Sequence, residues 1–441
     1  MLASRFAELE ALSCKPSRYV IAFSGGLDSS VLTHCIATMV AEQVLESRVP
    51  VVVIHVDHGL HEDSAAWSVH CAHFASDLAV EFQSLRVTVP TTTGKGLEAA
   101  AREVRYATLS RQLQPGDWLL SAHHREDQSE TLLMNLIRGS GPAGLAGIGA
   151  ARPIAAGWLV RPLLDVDQAA LKEYATKASL QWLEDPSNID RRFDRNFLRH
   201  EVLPQLCKRW PNVGKRLQRS VAHAGEAAEL LIELARIDLE ALGSDVSRLP
   251  ADGLSALSPA RQRNMLRFAV RELGLPMPPA HQLESIVRDV IPARVDAMPL
   301  VSWPGGAMRR YRNTLYCLPD DLAAGIESHA RIDRELVLGA GLGRLQLVEN
   351  AEIGLSKERV DAGLTIKSRI GGEKIKPLGQ LHTRKLKKLL QEEGIVPWMR
   401  DRLPLVYCGE QLVAVGDLWM AADAVSKPGV GLRWIDRPAL H

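Results

Sequence analysis

The chain has 441 residues, of which 46% are hydrophobic and 24% charged, with a formal net charge of +1. That is enough polypeptide for two to three globular domains, and it excludes a disordered chain or a small disulfide-stapled scaffold. Cys14, Cys35, Cys71, Cys207, Cys317 and Cys408 include no C-x-x-C pair, which argues for a reducing compartment and against an iron–sulfur or zinc-ribbon site. No apolar run approaches the ~18 residues of a membrane span. Residues 1–12, with Glu8 and Glu10, lack a signal-peptide layout and read as a short amphipathic helix. A cytoplasmic protein with no membrane partner is expected.

The first half alternates strand-like and helix-like runs. Tyr19 to Phe23 is apolar and rich in strand formers. It stops at Ser24-Gly25-Gly26-Leu27-Asp28-Ser29-Ser30, and a helix follows near 28–46. Residues 50–56 form a continuous β-branched run, suited to a strand buried on both faces. A helix near 63–78, a strand over 81–89, a helix over 96–113, a strand over 117–122 and a helix near 126–138 come next, with a fifth strand expected over 159–164. This rhythm predicts an α/β fold, a doubly wound, Rossmann-like parallel sheet. Ligands in such sheets sit beyond the carboxyl ends of the strands, and each polar cluster of this half falls at such an end.

The glycine turn carries the most information. Strand, glycine pair and helix start together aim backbone N–H groups at an anion. Gly25 and Gly26 can take φ > 0 and let a phosphate approach the main chain, while Ser24, Ser29 and Ser30 add hydroxyl donors. Asp28 would repel phosphate, so it makes sense if it holds Mg²⁺ or positions a cationic group. The turn is neither a Walker A loop nor a G-x-G-x-x-G turn; the plainer reading is an ordinary capped glycine turn. Ser-Gly-Gly-Leu-Asp-Ser resembles the SGGxDS loop of the ATP pyrophosphatase, or PP-loop, family. The resemblance implies cleavage of ATP to AMP and diphosphate, with Ser24, Gly25, Gly26, Leu27, Asp28 and Ser29 at the nucleotide.

Other strand ends extend the reading. His55-Val56-Asp57-His58-Gly59-Leu60-His61 invites a metal site, but no defined ligand spacing completes one. It resembles the HVDHGL segment of the tRNA(Ile)-lysidine synthetase branch of the family, which places His55, Asp57 and His58 in the nucleotide pocket. On the next helix Arg102, Arg105 and Tyr106 share a face. The plain reading is a solvated face with a Glu98–Arg102 pair; the block also resembles the family's R-x-x-R-Y helix, whose arginines sit near the ATP phosphates. His123-His124-Arg125-Glu126-Asp127-Gln128-Ser129-Glu130-Thr131 resembles the GHHxxDQxET segment. Simple capping would account for its carboxylates; the resemblance puts His123, His124 and Asp127 on a face shared by nucleotide and RNA base. The segment 138–148 is glycine-dense, and is either mobile or closely approached by a ligand.

Trp182 to Arg199 resembles the EDPSN…RN…R block of the same branch, which small-molecule PP-loop ligases are not expected to carry. Residues 191–219 hold nine Lys or Arg against two acids. Such a basic helix beside an ATP site marks a nucleic-acid approach surface or a merely solvated face. A helical middle domain is expected over 216–325, with helices over 217–242, 260–273 and 280–291 and Ser258 as an N-cap before Pro259. Residues 308–316 read as a hairpin mixing Arg with Tyr, either a base-stacking clamp or an edge strand with snorkelling arginines. After a linker near 319–345, residues 346–441 read as a small α+β domain. Its segment 367–388 has eight Lys or Arg and one Glu, with Leu386, Leu389 and Leu390 facing inward. It resembles the branch's C-terminal domain, except that Ile370 stands where an arginine is usual.

The resemblance spans nearly the whole chain, with domains expected at 1–215, 216–325 and 346–441. It implies ligation of free L-lysine to C2 of the wobble cytidine in a tRNA(Ile) with a CAU anticodon, with ATP as co-substrate, Mg²⁺ on Asp28 and no stable protein partner. The implied roles are Asp28, Arg102, Arg105 and Asp127 in catalysis and Asp127 and Glu130 toward lysine. Arg191, Arg195, Arg199, Arg369, Lys374, Arg384, Lys385 and Lys388 are implied to touch tRNA. Rival readings are a small-molecule PP-loop adenylating enzyme, another PP-loop tRNA-modifying enzyme such as a sulfur transferase, and a non-catalytic tRNA-binding protein.

Overall fold

The computed structural model describes residues 2–45, 49–90, 97–320, 330–339, 341–438 and 440, with the backbone alone at Leu97, Glu98, Ser187 and Ala330. The expected helix start at Gly96, the side chain of the Glu98–Arg102 pair and part of the 319–345 linker lie outside the described residues. Two compact units divide the chain, Met1–Leu231 and Ile232–His441.

The first unit is built from α1 (Leu2–Leu12), β1 (Arg18–Ala22), α2 (Leu27–Ala41), β2 (Val51–Asp57), α3 (Ser64–Asp77), β3 (Glu81–Arg86), α4 (Leu97–Arg111), β4 (Asp117–Leu120), α5 (Arg125–Ile137), α6 (Pro142–Leu145), β5 (Ala151–Ile154), β6 (Gly157–Val160) and α7 (Gln168–Lys177). The strands lie in the order β3-β2-β1-β4-β6-β5. All neighbouring pairs are parallel except β5–β6. The two faces follow from strand periodicity. Tyr19, Ile21, Val53, Trp118, Leu120 and Val160 pack on one side with Phe6 and Leu9 of α1, Leu32 and Ile36 of α2, and Leu171 of α7. Val20, Val52, Ile54, Leu119 and Leu159 pack on the other with Leu109 of α4 and Leu113. Each fully buried side chain of this kind stabilises by about 1.5–3 kcal/mol, so the β-branched runs fix both register and layer order.

The sequence expects a fifth strand over 159–164; the structure has β6 at Gly157–Val160, paired back onto β5 through a hairpin. Arg152 and Pro153 break the apolar pattern of β5. Proline is tolerated there because β5 is the sheet's edge. Beyond α7 come α8 (Asp194–Phe197), a π-helical turn Leu198–Val202, α9 (Leu203–Arg209) and α10 (Val213–Ala241).

The second unit opens with the last turns of α10 and has a helical layer, α11 (Ala251–Ala256), α12 (Pro259–Glu272) and α13 (Ala280–Ser285), the Ser258 side chain capping α12 as expected. The layer packs on a four-stranded antiparallel sheet, β7 (Arg248–Pro250), β8 (Leu300–Trp303), β9 (Gly306–Tyr311) and β10 (Thr314–Leu318), in the order β7-β10-β9-β8. Met265, Phe268, Leu283, Ile286, Met308 and Leu315 form the core between them. The expected hairpin of 308–316 is thus the centre of a sheet. Its Arg–aromatic mixture turns inward within the unit: Tyr316 and Tyr311 meet the Trp398 ring edge-on at 5.0 and 6.5 Å, Arg309 lies over that ring, and Arg400 donates to the Tyr311 hydroxyl at 2.8 Å. Residues after 330 form antiparallel sheets around a core that includes Leu386, Leu389 and Leu390, as the spacing predicts.

Candidate nucleotide-binding site

The chain leaves β1 through Phe23 and turns at Gly25, whose φ is +80°. An added Cβ there would lie 2.8 Å from Leu183 Cδ1 and 2.9 Å from Cys71 Sγ. Both the dihedral and the space therefore require glycine. The Leu183 N–H donates to the Gly25 carbonyl at 2.8 Å, so the segment leading into Glu184-Asp185-Pro186 is laid directly on the turn. Ser24 and Ser29 hydroxyls meet at 3.0 Å, and the Ser29 hydroxyl donates to the Gly26 carbonyl at 3.0 Å. Gly26 is the N-cap of α2, and no side chain caps that end. Its first-turn N–H groups are free to face an anion, with the helix dipole behind them.

Asp28 sits in that first turn. Its Oδ2 lies 3.5 Å from His124 Nε2, while Oδ1 is buried and has no hydrogen-bond partner. His124, 1% exposed, is surrounded by acids: Glu126 at 2.8 Å on Nδ1, and Asp28 and Asp127 each at 3.5 Å on Nε2. Burial works against its charge, but the hydrogen bonds with Asp28 and Glu126 and the charge of Asp127 outweigh it and push the imidazole up to about 10. The adjacent His123 behaves oppositely. Burial, reinforced by Arg161 and Arg102 and opposed by Asp127, holds it well below the usual imidazole range, and its Nδ1 lies 2.8 Å from the Ser121 hydroxyl. One strand end thus carries a cationic and a neutral histidine side by side.

The structure joins residues that the sequence assigned to different ligands. Asp127 Oδ2 accepts the His124 N–H at 2.9 Å, and its Oδ1 accepts from Arg195 at 2.9 Å and Arg199 at 3.1 Å. Glu130, 0% exposed, accepts from Arg195 Nε and Arg199 Nε at 2.6 Å each. The carboxylates expected at lysine and two arginines expected at tRNA form one network, the acids buried and the guanidiniums half-buried. Burial alone would raise the Asp127 carboxyl; His124 and Arg195 hold it below the ordinary range instead.

At the end of β2, His55 is buried with Nδ1 3.0 Å from the Phe23 carbonyl oxygen, and burial lowers its basicity against the opposing pull of that carbonyl and Asp57. Asp57 accepts the Gly59 N–H at 2.8 Å. His58 Nδ1 is buried without a partner, and burial and Arg105 lower its basicity. Arg102 lies over the Tyr106 ring at 5.2 Å. Sequence reasoning missed Gln128, which donates to the Ile148 carbonyl at 2.6 Å and accepts the Ile148 N–H at 2.7 Å, pinning the glycine-dense 138–148 segment to α5. It also missed Arg161, buried just past β6.

Of the residues expected at tRNA, Arg191 is exposed and paired with Glu201 at 2.6 Å. In the second unit Arg369 is half-buried against Asp401 at 2.9 Å, and Arg384 pairs with Glu392. Lys374 and Lys385 are exposed and stand directly opposite each other on a two-stranded ribbon, with Lys388 exposed nearby in sequence. Like charges paired across strands are destabilising, and this pair suits an anionic partner.

Three family models match the chain: a PP-loop domain over residues 2–206, a TilS substrate binding domain over 249–316 and a TilS substrate C-terminal domain over 364–434. The tRNA(Ile)-lysidine synthase of Alkalilimnicola ehrlichii is 41% identical, over 94% of this chain and 93% of its own length. That of Coxiella burnetii is 40% identical, over 90% and 88% respectively. The chain belongs to the tRNA(Ile)-lysidine synthase family. Among solved structures, the U34-tRNA thiolase NcsA from Methanococcus maripaludis is 16% identical with a TM-score of 0.43, covering 51% of this chain and 78% of that one. The Gly25 turn lies within the span matched by the PP-loop domain model, and Leu183 ties it to the block that set this branch apart in the sequence.

Proposed function

We propose that the protein makes lysidine in a tRNA(Ile) with a CAU anticodon. The C2 oxygen of the wobble cytidine attacks the α-phosphorus of ATP, an O–P bond forms, and diphosphate leaves. An amino group of free L-lysine then bonds to C2, the C2–O bond breaks, and AMP departs with the oxygen while the nitrogen loses a proton. Adenylation converts a poor leaving oxygen into a good one, so the protein's work is positioning and charge stabilisation. The observation that carries the reading is the positive-φ Gly25 turn opening onto an uncapped helix start beside Asp28, in a chain of this family.

In this reading the N–H groups and hydroxyls of Ser24 to Ser29 take the phosphates, and Arg102 or Arg105 steadies the α-phosphate. The unpartnered Oδ1 of Asp28 fits Mg²⁺, which is commonly held by one carboxylate plus substrate phosphates and supplies charge neutralisation there. His55, Asp57, His58, His123 and His124 line the nucleotide side. Asp127 and Glu130 fix the two guanidiniums of Arg195 and Arg199, and either reaches the lysine ammonium by exchanging an arginine hydrogen bond for it. Arg191 and the exposed lysines 374, 385 and 388 meet the tRNA backbone, the latter from a C-terminal tRNA-binding domain over 346–441. The cytoplasm supplies ATP, lysine and tRNA.

The test combines labelled lysine, ATP and an isoleucine tRNA transcript. Label should enter the tRNA with release of AMP, only when all three are present, and Asp28→Ala should abolish it. Absence of label in the parent protein, or ATP–diphosphate exchange without tRNA, overturns the reading.

A further inference from the structure

Beside the site lies an open groove of about 340 Å³ lined by Arg102, Glu103, Tyr106, Arg152 and Arg161. Three arginines face one glutamate in that lining. Arg161 is only 4% exposed; it donates to the Gly149 carbonyl at 2.6 Å and hydrogen-bonds Tyr106, yet its Nε is buried without any partner. Arg152 is exposed on the edge strand β5 and makes no ion pair with a carboxylate among the described residues. Gathering cations this closely is unfavourable, as the lowered basicity of Arg161 through burial and through Arg152 and Arg102 reflects. A cluster left short of counter-charge in a groove is the form that an anion site takes.

We propose that Arg152, Arg161 and Tyr106, with Arg102 as the shared wall, form a second phosphate subsite that holds a phosphodiester of the polynucleotide substrate next to the reacting nucleotide. The assignment rests on the function proposed above. Two features favour a phosphodiester over a phosphate of ATP. The Gly25 turn follows β1, whereas Arg161 follows β6, two strands away in the sheet order and hence about 10 Å off. Arg152 is also exposed on the edge strand β5, where a large polymer can reach it. An arginine fork matches two phosphate oxygens at once, so the subsite would fix the strand's register and leave base identity to other contacts.

The experiment uses the full chain with Arg152→Ala and Arg152→Glu, both at an exposed position that leaves the buried arginine in place. Binding of isoleucine tRNA is measured across salt concentrations without ATP, and KM for ATP is measured separately. Arg152→Ala should raise the tRNA Kd roughly tenfold and shallow the log Kd against log salt slope by about 1. Arg152→Glu should do so more strongly, and KM for ATP should stay within about twofold in both. A raised KM for ATP with unchanged tRNA binding would show that the groove serves the nucleotide's own phosphates and overturn the assignment. Unchanged values for both would show a merely solvated arginine cluster and overturn it equally. Should the parent protein fail to incorporate lysine, the proposed reaction falls, while its salt-dependent tRNA binding still decides the subsite.

Discussion

Replacing His124 with Gln removes the cation that Asp28, Glu126 and Asp127 share. Raising an imidazole from 6.5 to about 10 corresponds to about 5 kcal/mol of preference for the charged form, at ~1.4 kcal/mol for each tenfold change in proton affinity. His124→Gln keeps a polar side chain but leaves the carboxylates without that partner, so the expected loss at pH 7 is about 3–5 kcal/mol. The pH dependence follows from linkage. Because the folded-state value is raised, the stabilisation is fully present below 6.5 and disappears as pH climbs through about 10. Urea unfolding of parent and variant at several pH values between 6 and 10 reads this directly, since the second unit contributes alike to both. The stability gap should be widest at pH 6 and nearly closed at pH 10. A gap that stays flat over that range refutes the assignment of a charged His124.

Gly25→Ala combines a left-handed backbone, costing about 1–2 kcal/mol, with a Cβ crowded by Leu183 and Cys71; KM for ATP should rise at least about tenfold, checked by steady-state kinetics. Glu130→Gln leaves two half-buried guanidiniums with Asp127 as their remaining carboxylate, and thermal unfolding should show a loss of about 2–3 kcal/mol. Lys385→Ala should act in opposite directions on two measurements. Relief of the Lys374 repulsion stabilises by about 0.2–1 kcal/mol, while tRNA affinity falls and its salt slope shallows by about 1. Trp398→Ala strips the ring that Tyr311, Tyr316 and Arg309 pack on, and limited proteolysis should cut the second unit faster.

The parallel sheet was legible because its buried strands are continuous apolar runs, a local signal read within a few residues. The polar strand ends were legible for a topological reason, since the carboxyl ends of parallel strands converge on one crevice. Partners chosen across the fold were not legible. Nothing near Asp127 or Glu130 in the sequence points to Arg195 and Arg199, which reach them from a distant helical run. Arg161 fell inside the strand expected over 159–164 and drew no notice there, because its environment depends on Arg152 and Tyr106 arriving from other elements. The hairpin arginines and tyrosines of 308–316 fit an RNA clamp by composition, and composition is blind to the ring of Trp398 that occupies them.

The hydrogen bond from Leu183 to the Gly25 carbonyl bears on how the molecule is born. As the polypeptide leaves the ribosome, the glycine turn emerges long before the residue that braces it, which follows only after every strand of the surrounding sheet. A nascent chain halted before that point has the scaffold of a nucleotide grip without its clasp, so competence to capture ATP arrives only as the first unit nears completion.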